Sequence, residues 1–215
     1  MKKTVLVALM MAILLPLAGC GGHDNPPPPP LQTTQILSDP VYDGDIYQDI
    51  NGLIAQPTQG SLPFLKVGVD QVTGGEYRTF LDFYLGGTGG VPLNAIIDSA
   101  TLDVLITNIL PTSPAVSIPI RIDLVSLQSL ILAPADFFQL AEASTTITPP
   151  ISQSDFSQHV PVDVTQLMRK AQLLGLSDFV VRISLDVGGT PGYIEINDTL
   201  GDPAASAPLL EVNYF

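Results

Sequence analysis

The chain has no tryptophan and a single cysteine among its 215 residues. One thiol closes no disulfide within the chain and builds no multi-cysteine zinc site. Cations are scarce as well: eight Lys and Arg stand against 21 Asp and Glu, a formal net charge of −13. Without a basic patch to neutralise phosphates, nucleic acid is excluded as a partner class. Charged residues are only 13% of the chain against 46% apolar. A disordered acidic tail would be far poorer in apolar side chains. What the sequence has in quantity is turn formers, 18 Gly and 20 Pro, which favour frequent turns and few long helices. The length suits one large domain or two small ones.

The first residues read MKKTVLVALMMAILLPLAGCGG. Lys2 and Lys3 form a positive start, Thr4 to Leu15 a short apolar run, and Ala18 and Gly19 the small residues before Cys20. This is the layout of a secretory signal. The run is too short to span a bilayer, which takes about 20 apolar residues. Leu17-Ala18-Gly19-Cys20 resembles the bacterial lipobox, which implies cleavage before Cys20, with diacylglycerol on its thiol and acylation of its new amine. Several acyl chains, at about 0.8 kcal/mol per buried CH₂, make a lasting anchor. Gly21, where an Asp would retain the protein at the inner membrane, implies by the same resemblance an outer-membrane location in a bacterial cell envelope. Residues 1–19 are thus read as signal peptide, 20–38 as lipidated cysteine and linker, and 39–215 as the folded domain. Pro26 to Pro30 favour a polyproline II spacer of roughly 15 Å. His23 and Asp24 sit in that linker, where two neighbouring ligands make no metal cage.

Beyond the linker, apolar residues recur with period two. Thr79, Leu81, Phe83 and Leu85 alternate with Arg78, Phe80, Asp82 and Tyr84. Similar alternation places Leu102, Val104 and Ile106 on one face, then Ile118, Ile120, Ile122 and Leu124, then Phe179, Val181, Ile183 and Leu185, and finally Leu210, Val212 and Tyr214. Successive side chains of a strand point to opposite faces, so this pattern predicts half-buried strands. Shorter candidates are Leu65–Val69, Gly192–Ile196 and a weak Val41–Ile50. Pro119 implies an edge or a bulge. Glycine and proline clusters between the strands supply turns, so the expected fold is an all-β sandwich. One helix is expected over Val164–Leu174, capped by Asp163 or Thr165 and stopped by Gly175, covering one open end of the sandwich. A second short helical turn is expected within Ala133–Ala143.

The order of several short motifs carries a resemblance. Leu65-Lys66-Val67-Gly68 precedes Tyr77-Arg78-Thr79-Phe80-Leu81-Asp82-Phe83, followed by Val91–Ile97 and Ser99-Ala100-Thr101-Leu102. Ala135-Asp136-Phe137, Val162-Asp163-Val164-Thr165 and Ala207–Val212 with Tyr214 complete the series. The series resembles the DNRLRE-type jelly-roll domain, a family similar to alginate-binding carbohydrate modules of secreted bacterial proteins. The resemblance spans roughly Asp39 to Phe215. It implies a jelly-roll β-sandwich outside the cell, and polysaccharide as the ligand class. The chain departs from sugar-binding modules in lacking Trp, and Asn51–Pro63 is a loosely patterned insert.

No catalytic set emerges, and the chain is read as a non-enzyme. His159 could be grouped with Asp155 and Ser157, but residues so close in one loop do not hold a buried orienting geometry. The glycine-rich Leu85–Gly90 lacks the lysine of a phosphate loop. For ligand binding, the candidates are the polar faces of the strands: Arg78, Asp82 and Tyr84, then Arg121 with Asp123, then Arg182. Guanidinium groups there suit either bidentate binding of uronate carboxylates or cross-strand pairing with Asp. Tyr84, Tyr193 and Tyr77 are the candidate stacking rings. Asp39, Asp43, Asp45 and Asp49 cluster early and Asp198 and Asp202 late. Hard oxygen donors suit Ca²⁺, and Asp43 and Asp45 are its expected ligands, with a structural Ca²⁺ also implied by the resemblance to jelly-roll modules. Two functions stay open: a tethered module binding an extracellular ligand such as a polysaccharide, or a structural lipoprotein contacting other envelope proteins.

Overall fold

The computed structural model describes residues 29–113, 115–186 and 192–215. The expected signal peptide over residues 1–19, Cys20, His23, Asp24 and most of the proline run lie outside the described residues.

Fourteen strands are described: β1 (Gln32–Leu37), β2 (Gly44–Gln48), β3 (Thr58–Gln59), β4 (Phe64–Val69), β5 (Glu76–Tyr84), β6 (Ile97–Leu110), β7 (Ser117–Ile118), β8 (Ile120–Val125), β9 (Ala141–Thr146), β10 (Ile151–Ser152), β11 (His159–Asp163), β12 (Asp178–Leu185), β13 (Tyr193–Asn197) and β14 (Leu209–Tyr214). Two helices accompany them, α1 (Thr165–Leu174) and the single turn α2 (Pro203–Ser206). One layer runs β1-β14-β6-β11 and the other β5-β12-β8-β9. Along the chain the strands pass back and forth between these layers, β1 in one, β5 in the other, β6 back again, with β8 and β9 successive in the second. That is the wiring of a jelly roll, in which antiparallel strands close around one core. The long β6 joins the layers, because its far half pairs with β13.

The period-two readings hold strand by strand. Leu81 and Phe83 of β5, Phe179, Val181 and Ile183 of β12, and Ile120, Ile122 and Leu124 of β8 are buried against Leu102, Val104 and Ile106 of β6 and Leu210 and Val212 of β14. Pro119 interrupts between β7 and β8. Helix α1 ends at Gly175, which has φ 67°, a backbone conformation that favours glycine. It buries Leu167, Met168 and Ala171, whereas Leu174 is 42% exposed. The second expected turn is a short 3₁₀ helix over Pro134–Phe138.

Two features differ from the sequence reading. The sandwich begins at Gln32, ahead of Asp39, because β1 pairs with β14 from Gln32↔Tyr214 to Leu37↔Leu209. Its sequence, QTTQIL, is mostly polar, as an edge strand tolerates, so it carries little periodic signal. The outer face of the β5-β12-β8 layer also holds a second core. Ile46, Phe80, Val125 and Val180 are buried there under Leu132 and Phe137 of the Ser126–Leu140 segment.

Candidate functional site

The arginines singled out by sequence converge on that covered face. Arg182 Nη2 donates to Asp123 Oδ2 at 2.7 Å, and its Nη1 donates to the carbonyls of Gln139 (2.6 Å) and Phe137 (3.3 Å). Arg78 Nη1 donates to the same Phe137 carbonyl at 2.7 Å, its Nε pairs with Glu76, and its guanidinium lies 4.0 Å from the Phe137 ring centroid. Arg121 Nε donates to Asp123 Oδ1 at 2.7 Å and Nη2 to Ser144. Burial pushes the Asp123 carboxyl up, but hydrogen bonds from Ser144, Arg182 and Arg121 outweigh it and hold the carboxyl below its usual range. Arg78 and Arg182 latch the Ser126–Leu140 segment to the sheet, and Arg121 is held by Asp123 and Ser144, which occupies the donors a uronate would need. Asp82 shares strand β5 with Arg78 but none of these partners: its Oδ1 is buried without a hydrogen bond. Burial, then repulsion from Asp178 and Asp39, raises its pKa to about 7. Tyr84 is exposed at the far end of β5, over Gly86, where a Cβ would come within 2.6 Å of its hydroxyl.

A different site forms where β4 parts from β5. Gly68↔Tyr77 and Val69↔Glu76 are the pairs that join the two strands. Beyond them, side chains replace the ladder: Thr79 Oγ1 donates to the Lys66 carbonyl, and Asp45 Oδ2 accepts the Lys66 N–H. The register then lines up Tyr47 of β2 opposite Tyr77 of β5, Gly68 of β4 opposite Tyr77, and Tyr193 of β13 opposite Gly68. Paired residues share a face, so three tyrosines form one row across four strands. The ring centroids of Tyr47 and Tyr77 are 4.7 Å apart, and those of Tyr77 and Tyr193 are 6.2 Å apart. Gly68 leaves the gap between the latter two. It has φ 110°, and a Cβ there would meet the Gly192 carbonyl at 2.3 Å, so only glycine fits. Lys66 Nζ lies over that gap, 5.3 Å from the Tyr77 centroid and 5.7 Å from that of Tyr193. Two hollows flank the row. One, of about 350 Å³, is lined by Asp45, Thr58, Phe64, Lys66 and Tyr77. The other, of about 150 Å³, is lined by Asp70, Val72, Leu110 and Tyr193. All three rings are half-buried, which anchors them while leaving a face open. Burial, with repulsion from nearby carboxylates, raises the hydroxyl pKa of Tyr77 and Tyr193.

Of the ring candidates read from sequence, Tyr77 and Tyr193 belong to this row and Tyr84 does not. Tyr47 and Lys66 went unnoticed as binding candidates. Lys66 stands between buried Leu65 and Val67 in a strand pattern, but nothing local shows that it meets two rings.

The acidic residues separate into turn caps and buried carboxyls. Asp39, Asp49 and Asp202 accept backbone N–H groups two residues onward. Asp43 and Asp45 do not converge in their bonding. Asp45 is tied to the Lys66 amide, and burial raises its pKa. Asp43, fully buried, accepts the Asp82 N–H through Oδ1 and faces Asp198. Burial raises the pKa of both members of this pair. Asp43 Oδ2, Asp198 Oδ1 and Ser38 Oγ are buried without a well-formed hydrogen bond. Among the described residues no three His, Cys, Asp or Glu side chains group as a metal site. His159 lies on strand β11 rather than in a loop, and its Nδ1 is 2.9 Å from Asp103 Oδ2, not paired with Asp155 or Ser157. Asp155 instead caps the turn after β10 by accepting the Ser152 N–H.

No helix among the described residues is long and apolar enough to cross a membrane. No protein-family model matches the chain, and no curated protein matches it.

Proposed function

We propose that this chain is a cell-envelope lipoprotein whose jelly roll is non-catalytic and binds an extracellular ligand, a polysaccharide, in the tyrosine groove. The observation that carries the reading is the row Tyr47–Tyr77–Tyr193 with Lys66 over its gap and a hollow on either side. The C–H face of a sugar ring packs on an aromatic face, while hydroxyl and ammonium groups at the ring edges bond its oxygens. Cys20 in its lipobox-like setting supports the anchor, with the outer membrane as its location. Away from the groove, the donor set beside the Asp82 amide fits a Ca²⁺ ion in part. Asp43 Oδ2, just before β2, and Asp198 Oδ1, just after β13, lack a well-formed hydrogen bond, with Ser38 Oγ as a neutral third donor. These residues, rather than Asp43 with Asp45, would hold it.

A glycan array probed with the purified full-length protein tests the reading. Binding that is lost in Tyr77→Ala and Tyr193→Ala is the expected result. A blank array with a co-purifying envelope protein favours the second function, a structural or assembly lipoprotein. That alternative draws on exposed apolar side chains beside α1: Leu93 is 76%, Ile96 70% and Leu173 81% exposed.

A further inference from the structure

We infer that the groove takes an uncharged polysaccharide and excludes uronate polymers such as alginate; this rests on the binding function proposed above. The groove holds one ammonium, that of Lys66, which has no carboxylate at ion-pair distance among the described residues. Around it stand more acids than it can offset. Glu195 pairs in register with Lys66 on the neighbouring strand. Asp70 lines the hollow beside Tyr193, and the Asp45 carboxyl lines the hollow beside Tyr77. The repulsion that these groups exert on the tyrosine hydroxyls is the repulsion a bound carboxylate would meet.

The guanidinium groups that would bind a carboxylate in bidentate fashion are spent elsewhere. Arg78 and Arg182 hold the Phe137 carbonyl, Arg121 and Arg182 hold Asp123, and Arg169 Nη2 donates to the carbonyls of Ile97 and Asp98. Lys66 itself is committed to two ring faces. The chain as a whole carries −13, so its long-range field also repels a polyanion. What remains in the groove is ring faces, hydroxyls and carboxylate acceptors, which match the C–H faces and hydroxyl donors of a neutral sugar. Hollows on both sides of the row let a chain run through without ending there.

Affinity electrophoresis of the full-length protein in detergent tests this, with hydroxyethylcellulose and galactomannan as neutral probes and alginate and polygalacturonate as anionic ones. The expected result is retardation by at least one neutral polymer and by neither polyuronate. Tyr77→Ala or Tyr193→Ala should weaken that retardation about tenfold, as loss of one stacking ring does. A double variant, Asp70→Asn with Glu195→Gln, should gain retardation by alginate. Wild-type retardation by alginate that Tyr193→Ala removes would overturn the neutral-ligand inference while leaving the groove as the binding site. So would a double variant that gains nothing from alginate. Retardation by no polymer, or retardation indifferent to both tyrosine variants in protein whose melting temperature is unchanged, overturns the binding function itself.

Discussion

Strand β5 contributes to two regions built from similar residues and put to different uses. Arg78 and Phe80, on one face, join Arg182, Asp123 and Phe137 in a covered cluster where each guanidinium has a partner. Tyr77, on the other face, joins Tyr47, Tyr193 and Lys66 in an open row. The first region uses its polar groups to fasten a segment; the second leaves faces and oxygens available. Residue type therefore does not mark a binding surface, since arginine, the better carboxylate ligand, is here the structural residue, and tyrosine is the available one.

The largest effect should come from breaking the fastened region. Arg182→Ala leaves the Asp123 charge buried with one fewer partner and should lower unfolding free energy by about 3–5 kcal/mol. Urea unfolding reads this, and a loss below 1 kcal/mol would show that the latch is not what holds the segment. Next is the buried acid pair Asp43–Asp198. If Ca²⁺ bridges Asp43 and Asp198, EDTA lowers the melting temperature and excess Ca²⁺ restores it, by about 2.7 kcal/mol at a hundredfold excess over Kd. Asp198→Asn should abolish that response, and a wild-type protein indifferent to both reagents carries no such ion.

Asp82 is the exception within the fastened region, and with the buried Asp43, Asp45 and Asp198, whose pKa values burial also raises, it predicts a pH dependence of which Asp82→Asn removes its own share. Its folded pKa, about 7, lies above the ordinary carboxylate value. Its contribution to stability is therefore full at acid pH, below the unfolded pKa, and is lost as pH rises through about 7. The melting temperature at fixed Ca²⁺ should fall between pH 5 and pH 8, and Asp82→Asn should lessen the fall. A wild-type profile already flat would show that Asp82 is ionised throughout. The smallest stability effect belongs to the open row. Tyr193→Ala should cost under about 1 kcal/mol, because its ring is half in water. A loss as large as that of Arg182→Ala would make the tyrosines core residues and erase the contrast between the two regions. Separately, mass spectrometry should find the chain cleaved before Cys20 and acylated there, with Cys20→Ser left uncleaved.

The sequence by itself determined which side of each strand faces the core. Leu81 and Phe83 face the main core and Arg78 and Asp82 take the opposite face of β5, and the same alternation holds for β8, β12 and β14, because it is a property of the local backbone. It also determined the end of α1, since Gly175 stops a helix through its own conformational freedom. It was silent where the signal is not local. β1 is too polar to read as a strand until β14 lies beside it. The arginine alternatives, uronate ligand or cross-strand pair, could not be separated until the Ser126–Leu140 segment was seen lying across their face. Tyr47, Tyr77 and Tyr193 stand far apart in the chain, and only the registers of β2, β5, β4 and β13 put them in one row. Alternation tells which face a residue takes; strand pairing between distant segments decides who its neighbours are, and a binding surface is made of neighbours.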